Sequence, residues 1–82
     1  MTTGQKLRRV RKNRGLTQAQ FAKCLGIAEP TVRKYESDAI EPKLSTIVKF
    51  AKALDINPTK ILPDYFFEAI YDYISKKETE QC

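Results

Sequence analysis

The sequence lacks most of the residues from which catalytic and metal centres are built. It has no histidine, and its two cysteines, Cys24 and Cys82, do not have the paired spacing of a metal site. It also has no glycine-rich phosphate loop, and no nucleophile or base accompanies its carboxylates. These absences predict a protein that is not an enzyme, that holds no metal or other cofactor, and for which no small-molecule ligand is evident.

Long apolar runs are absent as well. No run approaches the roughly 20 apolar residues that a membrane span needs, and the N-terminal stretch MTTGQKLRRVRKNRG has no apolar region typical of a secretory signal. Free thiols are typical of a reducing compartment, so we expect a cytoplasmic protein without a membrane partner. At 82 residues the chain should form one small domain with a single core.

Positive charge is abundant but unevenly distributed. Residues 1–60 hold 13 Lys and Arg against five Asp and Glu, a formal charge of +8, whereas residues 61–82 carry −3. A basic body favours a polyanion as partner, and the acidic tail suggests a different task. Charge alone is weak evidence, because solvated lysine faces are common.

Apolar spacing and capping residues predict helices throughout, and no stretch alternates with the period of two that a strand requires. The predicted helices cover residues 3–13, residues 17–26, a segment from about Ala28 to residue 36, residues 44–54, a short helix that Asn57 and Pro58 open and Pro63 ends, and residues 64–77. Thr17 and Gln20 form a capping box, and Gly26 supplies a stop. Two short helices joined by a glycine turn, with the small Ala22 at their crossing, describe a helix-turn-helix. A generic helical hairpin would show the same features.

The segment GLTQAQFAKCLGIAEPTVRKYE (residues 15–36) resembles the core of the lambda repressor and Cro-type helix-turn-helix family, and PKLSTIVKFAKALDINPTKIL continues the likeness to residue 62. The resemblance implies an all-α fold: a five-helix, lambda-repressor-like DNA-binding domain over residues 1–62. A C-terminal extension over residues 63–82 would add a sixth helix. The function it implies is a transcriptional regulator, expected to repress, that binds double-stranded DNA at an operator as a dimer.

The resemblance also assigns roles to individual residues. The candidates for base contacts are Glu29, Pro30, Thr31 and Lys34, and the candidates for DNA backbone contacts are Gln18, Arg33 and Lys43. Arg11 and Glu36 fall where the family pairs an arginine of the first helix with a glutamate that ends the third. Other cations around the first helix, namely Lys6, Arg8, Arg9, Lys12 and Arg14, are expected to steer DNA more than to contact it.

Three features depart from the family pattern. Ala28 stands where a Ser or Thr cap is usual, and Glu29 stands where an amide is common. Asp38 and Glu41 make the loop after the third helix nearly neutral, although that loop is commonly basic. These departures leave the operator sequence open.

The last predicted helix has an aromatic face that is too large to leave in water. We expect it to form a dimer interface of Phe66, Phe67, Ile70, Tyr73 and Ile74, although the same side chains could complete the core of the monomer. Restriction-modification controller proteins are small family members with a similar extension and are an alternative assignment. An antitoxin, or another protein-interaction module that uses the same fold, is a second alternative.

Overall fold

The computed structural model describes residues 1–67. In this part of the chain, four α-helices precede a short 3₁₀ helix: α1 (Thr3–Asn13), α2 (Gln18–Leu25), α3 (Glu29–Glu36), α4 (Leu44–Leu54) and the 3₁₀ helix Pro58–Lys60. Residues 64–67 are also helical, and residues 1–67 contain no strand. The prediction of an all-α fold is therefore confirmed. None of these helices is long and apolar enough to cross a membrane.

Capping residues, a glycine and a proline mark where α2 and α3 begin or end. The Thr17 side chain accepts from the Gln20 backbone N–H at 3.1 Å, and the Gln20 side chain accepts from the Thr17 N–H at 2.9 Å. This capping box opens α2, and Gly26 closes it in the left-handed conformation at φ +70°. Ala28 gives α3 no side-chain cap, so the pre-set backbone angle of Pro30 in the first turn is the local signal that starts it.

One hydrophobic core joins all the helices. Its largest fully buried side chains come from every α-helix and from the segment after the 3₁₀ helix: Phe21, Phe50, Leu7, Ile47, Leu54, Ile61 and Val32. The rings of Phe21 and Phe50 lie 5.7 Å apart, and Tyr35 packs edge-on against Phe50 at 5.2 Å. Each such side chain stabilises the fold by about 1.5–3 kcal/mol through burial.

Gly4 allows α1 to approach the end of α3 closely. A Cβ atom built on Gly4 would lie 2.5 Å from the carbonyl oxygens of both Tyr35 and Glu36, so no larger residue fits. Asp38, in the left-handed region at φ +64°, accepts from the Gly4 N–H at 2.9 Å and from the Thr2 hydroxyl at 2.6 Å. The loop after α3 therefore caps α1 and fixes the two helices against each other.

Residues 63–67 are attached to this domain rather than separate from it. The Lys6 ammonium donates to the Leu62 carbonyl at 2.9 Å and pairs with Asp64 at 2.7 Å, which holds the pKa of Asp64 below its usual value. Tyr65 donates to Glu41 at 2.6 Å, and Phe66 packs against the core. Contacts within the chain therefore continue from residue 62 into residues 63–67, and the division of the chain at residue 62 stays a prediction.

The candidates for the dimer interface fall into three groups. Phe66 is half-buried against the core of its own chain, which is the alternative role left open by the sequence. Phe67 is 40% exposed and could contact another chain. The remaining three candidates, Ile70, Tyr73 and Ile74, lie outside the described residues, as does most of the predicted sixth helix.

Candidate nucleic-acid interface

The outer side of α3 is polar and faces solvent. Val32 and Glu36 are buried on its inner side, while Glu29, Pro30, Arg33 and Lys34 are exposed. Thr31 is half-buried beside them. The residues predicted to contact bases therefore share the outer side of one helix, and their side chains are accessible to a partner from its first turn onward.

The turn between α2 and α3 is short and is closed by a backbone hydrogen bond. It consists of residues 26–28, and the Ile27 N–H donates to the Ala22 carbonyl at 3.0 Å after the chain reverses at Gly26. Phe21 and Ala22 are both buried on α2, which lets α3 pack closely across it. The orientation of α3 is thus set by packing rather than by a flexible linker.

Arg11 and Glu36 form a buried, two-pronged ion pair between α1 and the end of α3. Arg11 Nε lies 2.6 Å from one Glu36 oxygen and Nη2 lies 3.0 Å from the other. The side chains are only 7% and 4% exposed. Arg11 also donates to the Leu16 carbonyl at 2.7 Å, so a single guanidinium holds α1, the loop before α2 and α3 together.

Gln18 extends this network to the surface. Its side-chain amide donates to Glu36 at 3.2 Å, which fixes the first residue of α2 relative to α3. The Gln18 backbone N–H lies in the first turn, where a helix supplies no internal acceptor. A helix N-terminus with an oriented amide is suited to an anion such as a DNA phosphate.

A depression of about 340 Å³ lies beside Gln18. It is lined by Arg8, Gln18, Arg33, Lys34, Glu36 and Ser37. Among the described residues, three cations surround a single acid, Glu36, which is paired with Arg11. The structure thus brings Gln18, Arg33 and Lys34 together.

Arg8 belongs to this depression, although the sequence predicts only a steering role for it. The spacing on α1 could have indicated this position, because Arg8 lies three residues before the anchored Arg11 and so near the same face of the helix.

Lys43 lies apart from this depression, at the N-cap position of α4, and is exposed. The two acids of the preceding loop both bond to their own chain, Asp38 to Thr2 and Gly4, and Glu41 to Tyr65. Within residues 1–67, no group of His, Cys, Asp and Glu side chains could hold a metal ion.

A family model and individual relatives of known type both match this chain. The model of the helix-turn-helix family matches residues 7–61. The antitoxin HigA1 of Mycobacterium tuberculosis is 44% identical over 46 residues, which are 56% of this chain and 31% of the antitoxin. The immunity repressor protein of Bacillus phage phi105 is 34% identical over 98% of this chain and 57% of its own length. The chain therefore spans about a third of one relative and little more than half of the other.

Two solved structures share the fold. The restriction-modification controller protein C.AhdI from Aeromonas hydrophila superposes with a TM-score of 0.68 at 35% identity, covering 73% of this chain and 91% of the controller. The P22 c2 repressor, solved in complex with a synthetic operator, gives a TM-score of 0.67 at 26% identity over 76% of this chain and 94% of the repressor. Both likenesses extend over most of the described residues.

Proposed function

The chain belongs to the helix-turn-helix family, and on that basis we propose that it regulates transcription by binding duplex DNA at an operator, as a dimer. The observation that carries this proposal is the exposed polar side of α3 beside the depression that Gln18, Arg33 and Lys34 help to line. An exposed helix side next to a basic, amide-lined surface is suited to a helix that enters the major groove while its neighbours bind phosphates.

Individual side chains have distinct tasks in this proposal. Thr31 and Lys34 contact base edges, and Glu29 accepts a hydrogen bond from cytosine N4, for which a carboxylate is suited. Gln18 and Arg33 bind one stretch of backbone and Lys43 binds a second. The Arg11–Glu36 pair contacts no DNA; it keeps Gln18 and α3 in a fixed relative position.

The relatives favour repression as the mode of action. An immunity repressor is similar to nearly the whole of this chain, and the P22 c2 repressor was solved on an operator. Repression then follows from occupancy, because a protein bound over a promoter excludes polymerase. Such a role requires no catalytic step and places the protein in the cytoplasm, where the DNA of a prokaryote or phage is found.

Two narrower assignments have support of their own. The controller C.AhdI is matched over 91% of its length, which favours a restriction-modification controller. The antitoxin has the higher identity but is matched over only 46 residues. The controller assignment keeps the proposed DNA interface and changes only which genes are regulated. An antitoxin that acts as a protein-interaction module would instead use the same fold to bind a protein.

We expect substitutions at the interface to fall into two classes. Gln18→Ala and Lys43→Ala should weaken binding to all duplexes alike, because they remove phosphate contacts. Thr31→Ala and Lys34→Ala should change which sequence is preferred, by about 1–3 kcal/mol of discrimination per base contact. Selection from a pool of random duplexes, followed by anisotropy titration of the winners, measures both effects. Lys52→Ala, on the exposed side of α4, is the matched control. If Thr31→Ala and Lys34→Ala leave the selected sequence unchanged, α3 does not read bases.

We further propose that Phe67, with Ile70 and Ile74 from outside the described residues, forms the dimer contact. A two-fold dimer places two α3 helices about 34 Å apart, one turn of DNA, on a pseudo-palindromic site. Because Phe66 is half-buried in its own chain, it is assigned to the monomer core instead. Self-association through a shared patch is the commonest symmetric arrangement.

Phe67→Ser combined with Ile70→Ser and Ile74→Ser should therefore produce a folded monomer, whereas Phe66→Ala should lower stability and leave association intact. Sedimentation measures the association, and circular dichroism with thermal melting measures the fold. A triple variant that still sediments as a dimer would exclude this interface. A wild-type chain that stays monomeric at high micromolar concentration would exclude the dimer itself.

A further inference from the structure

α1 carries an unusual distribution of charge. Between Thr3 and Asn13 the helix has five cations and no acid. Two of the cations point into the chain, where Lys6 pairs with Asp64 and Arg11 pairs with Glu36. The other three, Arg8, Arg9 and Lys12, are exposed. They are called the α1 stripe below.

The members of the α1 stripe lie on one side of the helix. They line a depression of about 480 Å³ together with Met1, Gln5 and Asn13. Residues 5, 8, 9, 12 and 13 follow the spacing of neighbours on a helix surface. The Arg9 guanidinium also contacts the Met1 sulfur at 3.7 Å, and this sulfur is a weak, uncharged acceptor.

Arg8 joins the α1 stripe to the proposed DNA interface. It lines the depression with Gln18, Arg33 and Lys34 as well as the depression on α1. The two surfaces therefore form one basic surface that begins at α3 and continues along α1 to Lys12. Among residues 1–67, no acidic side chain lines the depression on α1, and Arg9 also lines a neighbouring depression that contains Asp64.

This arrangement is unfavourable for α1 alone. Like charges four residues apart, such as Arg8 and Lys12, destabilise a helix by about 0.2–0.5 kcal/mol. A face that serves only solubility usually mixes both signs, because opposite charges at this spacing stabilise the helix. A run of cations with no acid is suited to a polyanion instead.

We propose that the α1 stripe binds the phosphate backbone of the duplex beside the segment that α3 reads, and so lengthens the contact beyond the base-reading helix. This inference rests on the proposed function. Arg8 and Lys12 are separated by about 6 Å along α1, and one DNA strand presents a phosphate about every 3.4 Å of its axis. A DNA strand that passes along the α1 stripe therefore brings at least one phosphate within reach of Arg8 and another within reach of Lys12.

The test is the salt dependence of binding to a mixed-sequence duplex. Each phosphate contact contributes about −0.9 to the slope of log Kobs against log salt. The variant Arg8→Gln, Arg9→Gln, Lys12→Gln should make the slope less steep by about 2–3 if all its cations contact phosphates. The matched control Lys23→Gln, Lys49→Gln, Lys52→Gln removes the same charge from exposed positions on α2 and α4 and should leave the slope close to that of the wild type.

A variant that keeps the positive charge shows whether a change in slope comes from the lost charge or from substitution of the side chains as such. Arg8→Lys, Arg9→Lys, Lys12→Arg should keep the wild-type slope, and thermal melting should show that all variants are folded. A slope for the α1 variant equal to that of the control would overturn this inference while leaving the proposed function standing. Failure of the wild-type chain to bind the duplex would instead reject the proposed function.

Discussion

Gly4→Ala is expected to destabilise the domain by about 3 kcal/mol, the upper end of the range for forced overpacking. The new Cβ would meet the carbonyl oxygens of Tyr35 and Glu36 at 2.5 Å and the Asp38 carboxylate at 2.8 Å. The two carbonyls are backbone atoms, so α1 must move away from α3. That movement also lengthens the bond from the Gly4 N–H to Asp38, which caps α1.

Urea unfolding followed by circular dichroism measures this effect, and the melting temperature should fall by more than about 10 °C for a domain of this size. Asn13→Ala is the matched control, because it adds no atom and lies on the exposed end of the same helix. It should change stability by no more than about 0.5 kcal/mol. Equal midpoints for the two variants would show that α1 does not press against the end of α3 as described.

Arg11→Ala and Glu36→Ala should each destabilise the domain by about 3 kcal/mol or more, because each leaves a buried charge without its partner. The double variant leaves neither charge, so it should be more stable than the sum of the single effects predicts, by about 2 kcal/mol. Glu36→Ala additionally releases the Gln18 side chain. We therefore expect it to weaken binding to every duplex, beyond its effect on stability.

A double-mutant cycle by chemical denaturation gives the coupling energy directly. The Lys6–Asp64 pair is the control, since Asp64 is 83% exposed and water screens the interaction. Its cycle should show a far smaller coupling than that of Arg11 and Glu36. Simple additivity for the buried pair would mean that it does not hold α3, and the positioning role proposed for it would fail.

Local signals on the chain predict most of the helical framework. The capping box of Thr17 and Gln20 and the stop at Gly26 act within a few residues, and the structure has each of them where the sequence indicates. The apolar spacing of residues 44–54 likewise predicts α4 with its observed bounds. Such features depend only on residues that are close in sequence, so they can be predicted without knowledge of the fold.

Contacts between segments that are distant in sequence cannot be predicted in this way. Gly4 lies within a helix and not in a turn. Its small size matters only because the end of α3, some 30 residues later in the chain, packs against it. The bond of Asp38 to the start of α1, the bond of Tyr65 to Glu41 and the place of Arg8 beside Gln18 likewise depend on how the helices cross. The Arg11–Glu36 pair could be proposed only through the family resemblance, since the spacing of the two residues does not indicate a contact.

The most direct test of the proposed function is a titration of the wild-type chain with fluorescent duplex DNA at low salt. The chain should bind, and Arg33→Glu with Lys34→Glu on α3 should abolish binding. Lys49→Glu with Lys52→Glu, the same charge change on the exposed side of α4, should retain most of it. No binding by the wild-type chain, or an equal loss for the two charge reversals, would contradict the claim that α3 is the DNA-binding surface.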